Sequence, residues 1–151
     1  MTELELVAQE LRDDPQALGY ASMSDIDAAA AMVAPYTTRV MPMPVGIGRI
    51  MSTLGASRGA AFFDALEAAA ASDSVLKWTL TILNSGGTID VGDPESRAQL
   101  DTLAAGGVID PQDATDIKAL AEVPASRADM IGVPPAVVPE LVSLARARGL
   151  V

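Results

Sequence analysis

The side chains here that could do chemistry are twenty carboxylates, ten lysines and arginines, and hydroxyls; histidine and cysteine are absent. That removes the commonest general base, the imidazole ligand, the thiolate nucleophile and the disulfide. What the carboxylates can do depends on whether they converge. Asp90 and Asp93, and then Asp110, Asp113 and Asp116, look like carboxylate clusters that could hold a cation. A calcium loop places ligands at alternate positions around a central Gly and ends on Glu. These runs lack that register. Asp93-Pro94-Glu95 and Asp110-Pro111-Gln112 read instead as a helix cap followed by Pro at the first helical position.

Other reaction classes fail on missing parts. A carboxylate pair could hydrolyse a glycosidic bond, but one Trp, two Tyr and two Phe leave little to stack a sugar. A serine nucleophile would have to use Lys77 or Lys118 as its base. Val45-Gly46-Ile47-Gly48 lacks the third Gly and the Lys-Ser/Thr of a phosphate loop. The expectation is a protein that is not an enzyme and uses no catalytic residue, no metal and no cofactor.

Charge narrows the partners. The formal net charge is -10 over 151 residues, and it is uneven. Residues 1–34 and 59–130 are strongly acidic, whereas 35–58 hold Arg39, Arg49 and Arg58 and no acid. Such a surface repels nucleic-acid phosphates, so no nucleic-acid partner is expected. No window approaches the ~18 apolar residues of a membrane span, so no membrane partner is expected either. The opening Met1-Thr2-Glu3-Leu4-Glu5 is acidic and lacks the apolar stretch of a secretion signal.

The elements that must position these groups read as helices. A length of 151 residues suits one domain, residues 1–151, with a core of Leu, Ile, Val, Ala and Met. The predicted fold class is all-α, a compact bundle of about seven or eight short helices. Thr2 and Glu5 form a capping-box pattern, and Leu4, Val7 and Leu11 mark a stripe that ends at Asp14-Pro15. Asp13 and Asp14 at that C-terminus oppose the helix dipole, which implies fraying or a partner there. Ser24 caps a second helix. Helices follow over about 48–54, 58–71 and 75–84, the last the most apolar and predicted to be central, with Trp78 buried near Phe62 and Phe63. A further helix is predicted from Pro94 to Gly106. Another runs over about 111–122, with Pro124 kinking or breaking it before helix resumes at Ser126–Met130. The final helix begins between Pro135 and Pro139 and ends near Arg148. Residues 36–47, Tyr-Thr-Thr-Arg-Val-Met-Pro-Met-Pro-Val-Gly-Ile, are the exception. Pro42 and Pro44 force extended backbone, giving a Pro- and Met-rich arm or loop with few internal hydrogen bonds.

Two stretches carry a resemblance. Glu10-Leu11-x-x-Asp14-Pro15-x-x-Leu18-Gly19-Tyr20-Ala21-x-Met23-Ser24-Asp25 is one. The other is the C-terminal half, from Leu76-Lys77-Trp78 through Ser126-Arg127-Ala128-Asp129-Met130-Ile131-Gly132 to Leu144-Ala145-Arg146-Ala147. Together they resemble a family of small helical proteins encoded among tailed-phage and prophage structural genes. That family has a DP-x-x-LGYA connector and an SRA-x-x-(L/I)G turn before the last helix. The match is weak across residues 35–60, and Pro124 and Pro134-Pro135 interrupt stretches that are smoother in the family. The resemblance transfers no catalytic residue. It implies a bacteriophage virion structural or assembly protein, made in the host cytoplasm, that binds other phage structural proteins near the head–tail junction or tail in a ring or lattice. The arm supplies the expected contact residues: Tyr36, Arg39, Met41, Met43 and, just beyond it, Arg49. The alternative is an acidic phage-encoded inhibitor or DNA mimic that binds a basic host protein.

Overall fold

Thr2 accepts a hydrogen bond from the Glu5 N–H while the Glu5 carboxylate accepts one from the Thr2 N–H at 2.6 Å, so the predicted capping box starts the first helix. In this computed structural model, which describes residues 1–151, the chain order is α1 (Glu3–Asp13), a 3-10 turn (Tyr20–Ser22), α2 (Asp25–Val33), β1 (Pro35–Val40), β2 (Pro44–Val45), α3 (Ile47–Leu54), α4 (Ala56–Ala70) and α5 (Ser74–Asn84). It continues with β3 (Ile89–Asp90), α6 (Pro94–Ala105), α7 (Pro111–Ala119), β4 (Glu122–Ser126), α8 (Arg127–Ile131), a second 3-10 turn (Pro135–Val137) and α9 (Val138–Ala147). The fold is dominated by helix but is not purely all-α. β1 pairs with β4, and β2 pairs with β3 in an antiparallel bridge, Pro44 opposite Asp90 and Val45 opposite Ile89.

The chain divides into two compact units. One is formed by Met1–Arg39 together with Pro124–Val151, the other by the continuous segment Val40–Val123. In the first, α9 packs on α1 and α2. Its core joins Val7, Leu11, Tyr20 and Met32 to Val133, Val138 and Val142. Ala28, Ala128 and Ala145 are fully buried there, and their small side chains let the helices approach closely. In the second, α3 packs on α4 and α7, α4 on α5, and α6 on α7. Its core centres on Ile50, Leu54, Phe62, Leu66, Leu76, Leu80, Val91 and Ile117.

Four expectations need correction. The 36–47 stretch holds most of β1 and all of β2, with Ile47 already in α3, and it is not an unpaired arm. β1 is a paired strand, Met41 N–H donates to Ala121 O at 2.8 Å, and Val91 N–H donates to Met43 O at 3.0 Å. The prolines that bar helix also leave the chain in the geometry a ladder requires. The helix from Pro111 stops at Ala119, not near 122, and β4 then separates it from α8, so the helical path breaks at Pro124 and does not merely kink. Pro124 has no N–H to continue a helix and biases Val123 to extended backbone.

At Asp13-Asp14, where fraying or a partner was expected, the helix runs to Asp13 and ends on a formed cap. Asp14 takes left-handed backbone (φ 36°), and its carboxylate accepts the Leu18 and Gly19 N–H groups, each at 2.7 Å. The acid that opposes the dipole thus caps the next turn instead. Trp78, finally, is 65% exposed, and α5 is not central. Leu76, Leu80 and Leu83 point into the core, and the opposite face of the helix is uncovered. Phe62 is buried as expected, with Phe63 half-buried against it edge to face at 5.3 Å.

Candidate interaction site

The five sequence-derived contact residues do not share one role. In the first unit, Tyr36 sits at the start of β1, and its hydroxyl accepts a hydrogen bond from Arg127 Nη1 at 3.1 Å. The Arg127 guanidinium lies 5.8 Å from the Tyr36 ring centroid, within cation–π range. Arg39 reaches Asp129 at 3.9 Å, and its Nε is buried with no partner. Asp129 itself accepts the Ser126 N–H at 2.9 Å and the Ser126 hydroxyl at 2.7 Å, which hold its carboxyl below the usual range. In the second unit, Met43 is half-buried against the core. Met41 is 38% exposed, and Arg49 is exposed on α3. Met43 is therefore engaged in core packing and Tyr36 and Arg39 in polar contacts, while Met41 and Arg49 are exposed.

Asp90 explains the tight course around Met43. Its Oδ1 accepts the Met43 N–H at 2.7 Å and the Gly92 N–H at 2.8 Å. These two bonds, the Met43 one first, hold its carboxyl below the ordinary value. Gly92 is required at the corner, because a Cβ there would lie 2.0 Å from Met41 O.

The other acids are also used locally. Asp93 caps α6 and Asp110 caps α7. Buried Asp113 and half-buried Asp116 converge on Arg58, whose Nε donates to Asp113 at 2.9 Å and Nη2 to Asp116 at 2.8 Å. Lys118 pairs with Asp101, and Arg97 donates to Glu122 at 2.7 Å and to Lys118 O at 2.9 Å.

The N-terminal resemblance stretch and the end of the C-terminal one meet in the first unit. Arg127 Nε donates to Glu10 Oε1 at 2.6 Å and its Nη2 donates to Glu10 Oε2, a bidentate pair in which Glu10 is 3% and Arg127 12% exposed. Arg146 donates to Asp25 and to Met23 O, both at 2.8 Å, and to Tyr20 O at 2.7 Å. Tyr20 is fully buried. Burial, and then the nearby Glu10 and Asp14 carboxylates, raise its phenol above the ordinary value. Glu10 with Arg127, and Asp25 with Arg146, thus join the two stretches.

Sequence reasoning placed α5 but missed its exposed apolar face. Val75, Trp78 and Ile82 are 60%, 65% and 48% exposed and lie at i, i+3 and i+7, so they form one stripe. The signal was available. Six apolar residues in Ser-Val-Leu-Lys-Trp-Thr-Leu-Thr-Ile-Leu-Asn divide at helical period into two stripes, and one core can bury only one of them. Beneath α5 lies an apolar cavity of about 70 Å³ bordered by Phe62, Leu66, Leu76, Leu83 and Leu100, with no charged group in its lining. No family model, no curated protein and no solved structure matches this chain.

Proposed function

We propose that this chain is a non-enzymatic bacteriophage virion structural or assembly protein that binds other virion proteins near the head–tail junction or tail. One observation carries the reading. Residues quoted for the phage-family resemblance, 117 positions apart in the case of Glu10 and Arg127, pair directly in the first unit. Asp25 and Arg146, from the same two stretches, do so as well. A spaced set of charges that closes one core is a fold-level pattern, which scattered composition would not produce. The exposed apolar stripe on α5 is consistent with a role in binding proteins. Mass spectrometry of purified phage particles from a strain carrying this gene tests the proposal. The chain should be present in stoichiometric amount. Its absence from both particles and assembly intermediates would end the virion reading.

A further inference from the structure

The cavity beneath α5 is an interior space of the second unit, not a surface groove. Its walls include Ile50 and Ile117, both fully buried, together with the buried Phe62 and Leu66. α5 packs on α4, and α6 packs on α7. Leu83 of α5 and Leu100 of α6 both border the space, and the two helices make little direct contact with each other.

Three lining residues are polar. Thr79, Ser96 and Gln99 are half-buried and uncharged. Ser96 and Gln99 lie three residues apart on α6, so they share a face. Their side chains are uncommitted, unlike those of their neighbours. Thr81, Thr102 and Thr115, on α5, α6 and α7, donate to the carbonyls of Lys77, Ala98 and Pro111 at 2.8, 2.9 and 3.0 Å. The Thr79 and Ser96 hydroxyls and the Gln99 amide make no hydrogen bond within the chain. Ser96 meets Asp93 through its backbone N–H, at 2.9 Å, and not through its hydroxyl.

These features define a class of ligand. Apolar walls with a few free polar groups are the composition of a small-molecule site. Volume sets the size. An apolar cavity of about 150 Å³ holds benzene, so a smaller one suits a branched body of about four carbons; this cavity is about 70 Å³. The lining carries no charge, so an ionised ligand would lose its hydration with no counter-charge to replace it. We propose that this cavity binds a short-chain, neutral aliphatic molecule, with its alkyl body against Leu83, Leu100 and Ile117 and its hydroxyl or amide group on Thr79, Ser96 and Gln99. The proposal does not rest on the virion reading.

Isobutanol is the probe, and isobutyrate is its charged counterpart with the same branched body. Each is titrated into the full chain to about 50 mM, well above a millimolar Kd, with methyl NMR reading affinity and location together. The expected result for isobutanol is a set of saturable shifts with Kd on the order of 1–10 mM, and cross-relaxation from its methyls to Leu83, Leu100 and Ile117. Isobutyrate should bind at least about tenfold more weakly. Thr79→Val keeps the side-chain shape without the hydroxyl and should weaken isobutanol about two- to tenfold. Ser96→Leu fills the space from its edge and should abolish binding. Unchanged circular dichroism shows that each variant folds. No saturable shift by the end of the titration overturns the proposal. So do shifts confined to the exposed stripe of Val75, Trp78 and Ile82, equal binding of isobutyrate, an affinity that Thr79→Val leaves unchanged, or binding that survives Ser96→Leu.

Discussion

Replacing Arg127 by Met isolates the most consequential contact in the first unit. Glu10 is 3% exposed and receives two guanidinium N–H bonds from a partner that is itself 12% exposed. The substitution keeps most of the apolar stem and leaves a buried carboxylate unpaired. Breaking such a pair from one side costs about 3–5 kcal/mol. That is a large share of the ~5–15 kcal/mol that holds a typical domain folded. Tyr36 loses a donor too, but it is 40% exposed and water replaces the bond. At a urea m-value of about 2 kcal/mol/M the midpoint should fall by roughly 1.5–2.5 M. Glu10→Leu combined with Arg127→Met removes both charges and should cost far less than the two single changes together, since apolar replacement of a whole buried pair is often near neutral. Urea melts of the wild type, both single variants and the double variant, followed by circular dichroism, close the cycle. A cost below about 1 kcal/mol for Arg127→Met, or a double variant equal to the sum of the singles, would refute the claim that the pair is desolvated and coupled.

Gly92→Ala should destabilise by at least about 2–3 kcal/mol, because the new Cβ would lie 2.0 Å from rigid backbone at Met41 O. Gly59→Ala should be milder in the same melts, since its closest contact is the flexible Met51 sulfur at 2.5 Å. Trp78→Ala, measured at low protein concentration, should change stability by no more than about 0.5 kcal/mol, as for exposed positions generally; a loss of several would return Trp78 to the core. Hydrogen exchange should find the Met41 and Met43 amides protected, since they donate to Ala121 O and to Asp90; exchange at the rate of unstructured peptide would restore the arm. Asp90 titrates below its unfolded value of about 3.9, so its contribution is present above that pH and is lost as pH falls through the lower folded value. Asp90→Asn keeps an acceptor without the charge and should show a shallower loss of stability below about pH 4 than the wild type.

Local features were legible in the sequence because their causes are local. Thr2 with Glu5, Ser24, and the Asp-Pro openings at Asp93 and Asp110 announce helix starts through hydrogen bonds that span three residues or fewer. The Pro-rich 36–47 stretch announces extended backbone for the same reason: each ring restricts its own φ and the residue before it. Which strands pair with that stretch depends on Ile89–Asp90 for β2 and on Glu122–Ser126, more than eighty residues on, for β1, and no local preference encodes it. The two-sided apolar pattern of α5 is written in the chain, but tertiary packing chose Leu76, Leu80 and Leu83 for the core and left Trp78 outside. Likewise composition counts twenty acids, while only the fold determines that Glu10, Asp25 and Asp113 face Arg127, Arg146 and Arg58. Ion pairing falls off steeply with distance in space, and separation along the chain does not predict that distance.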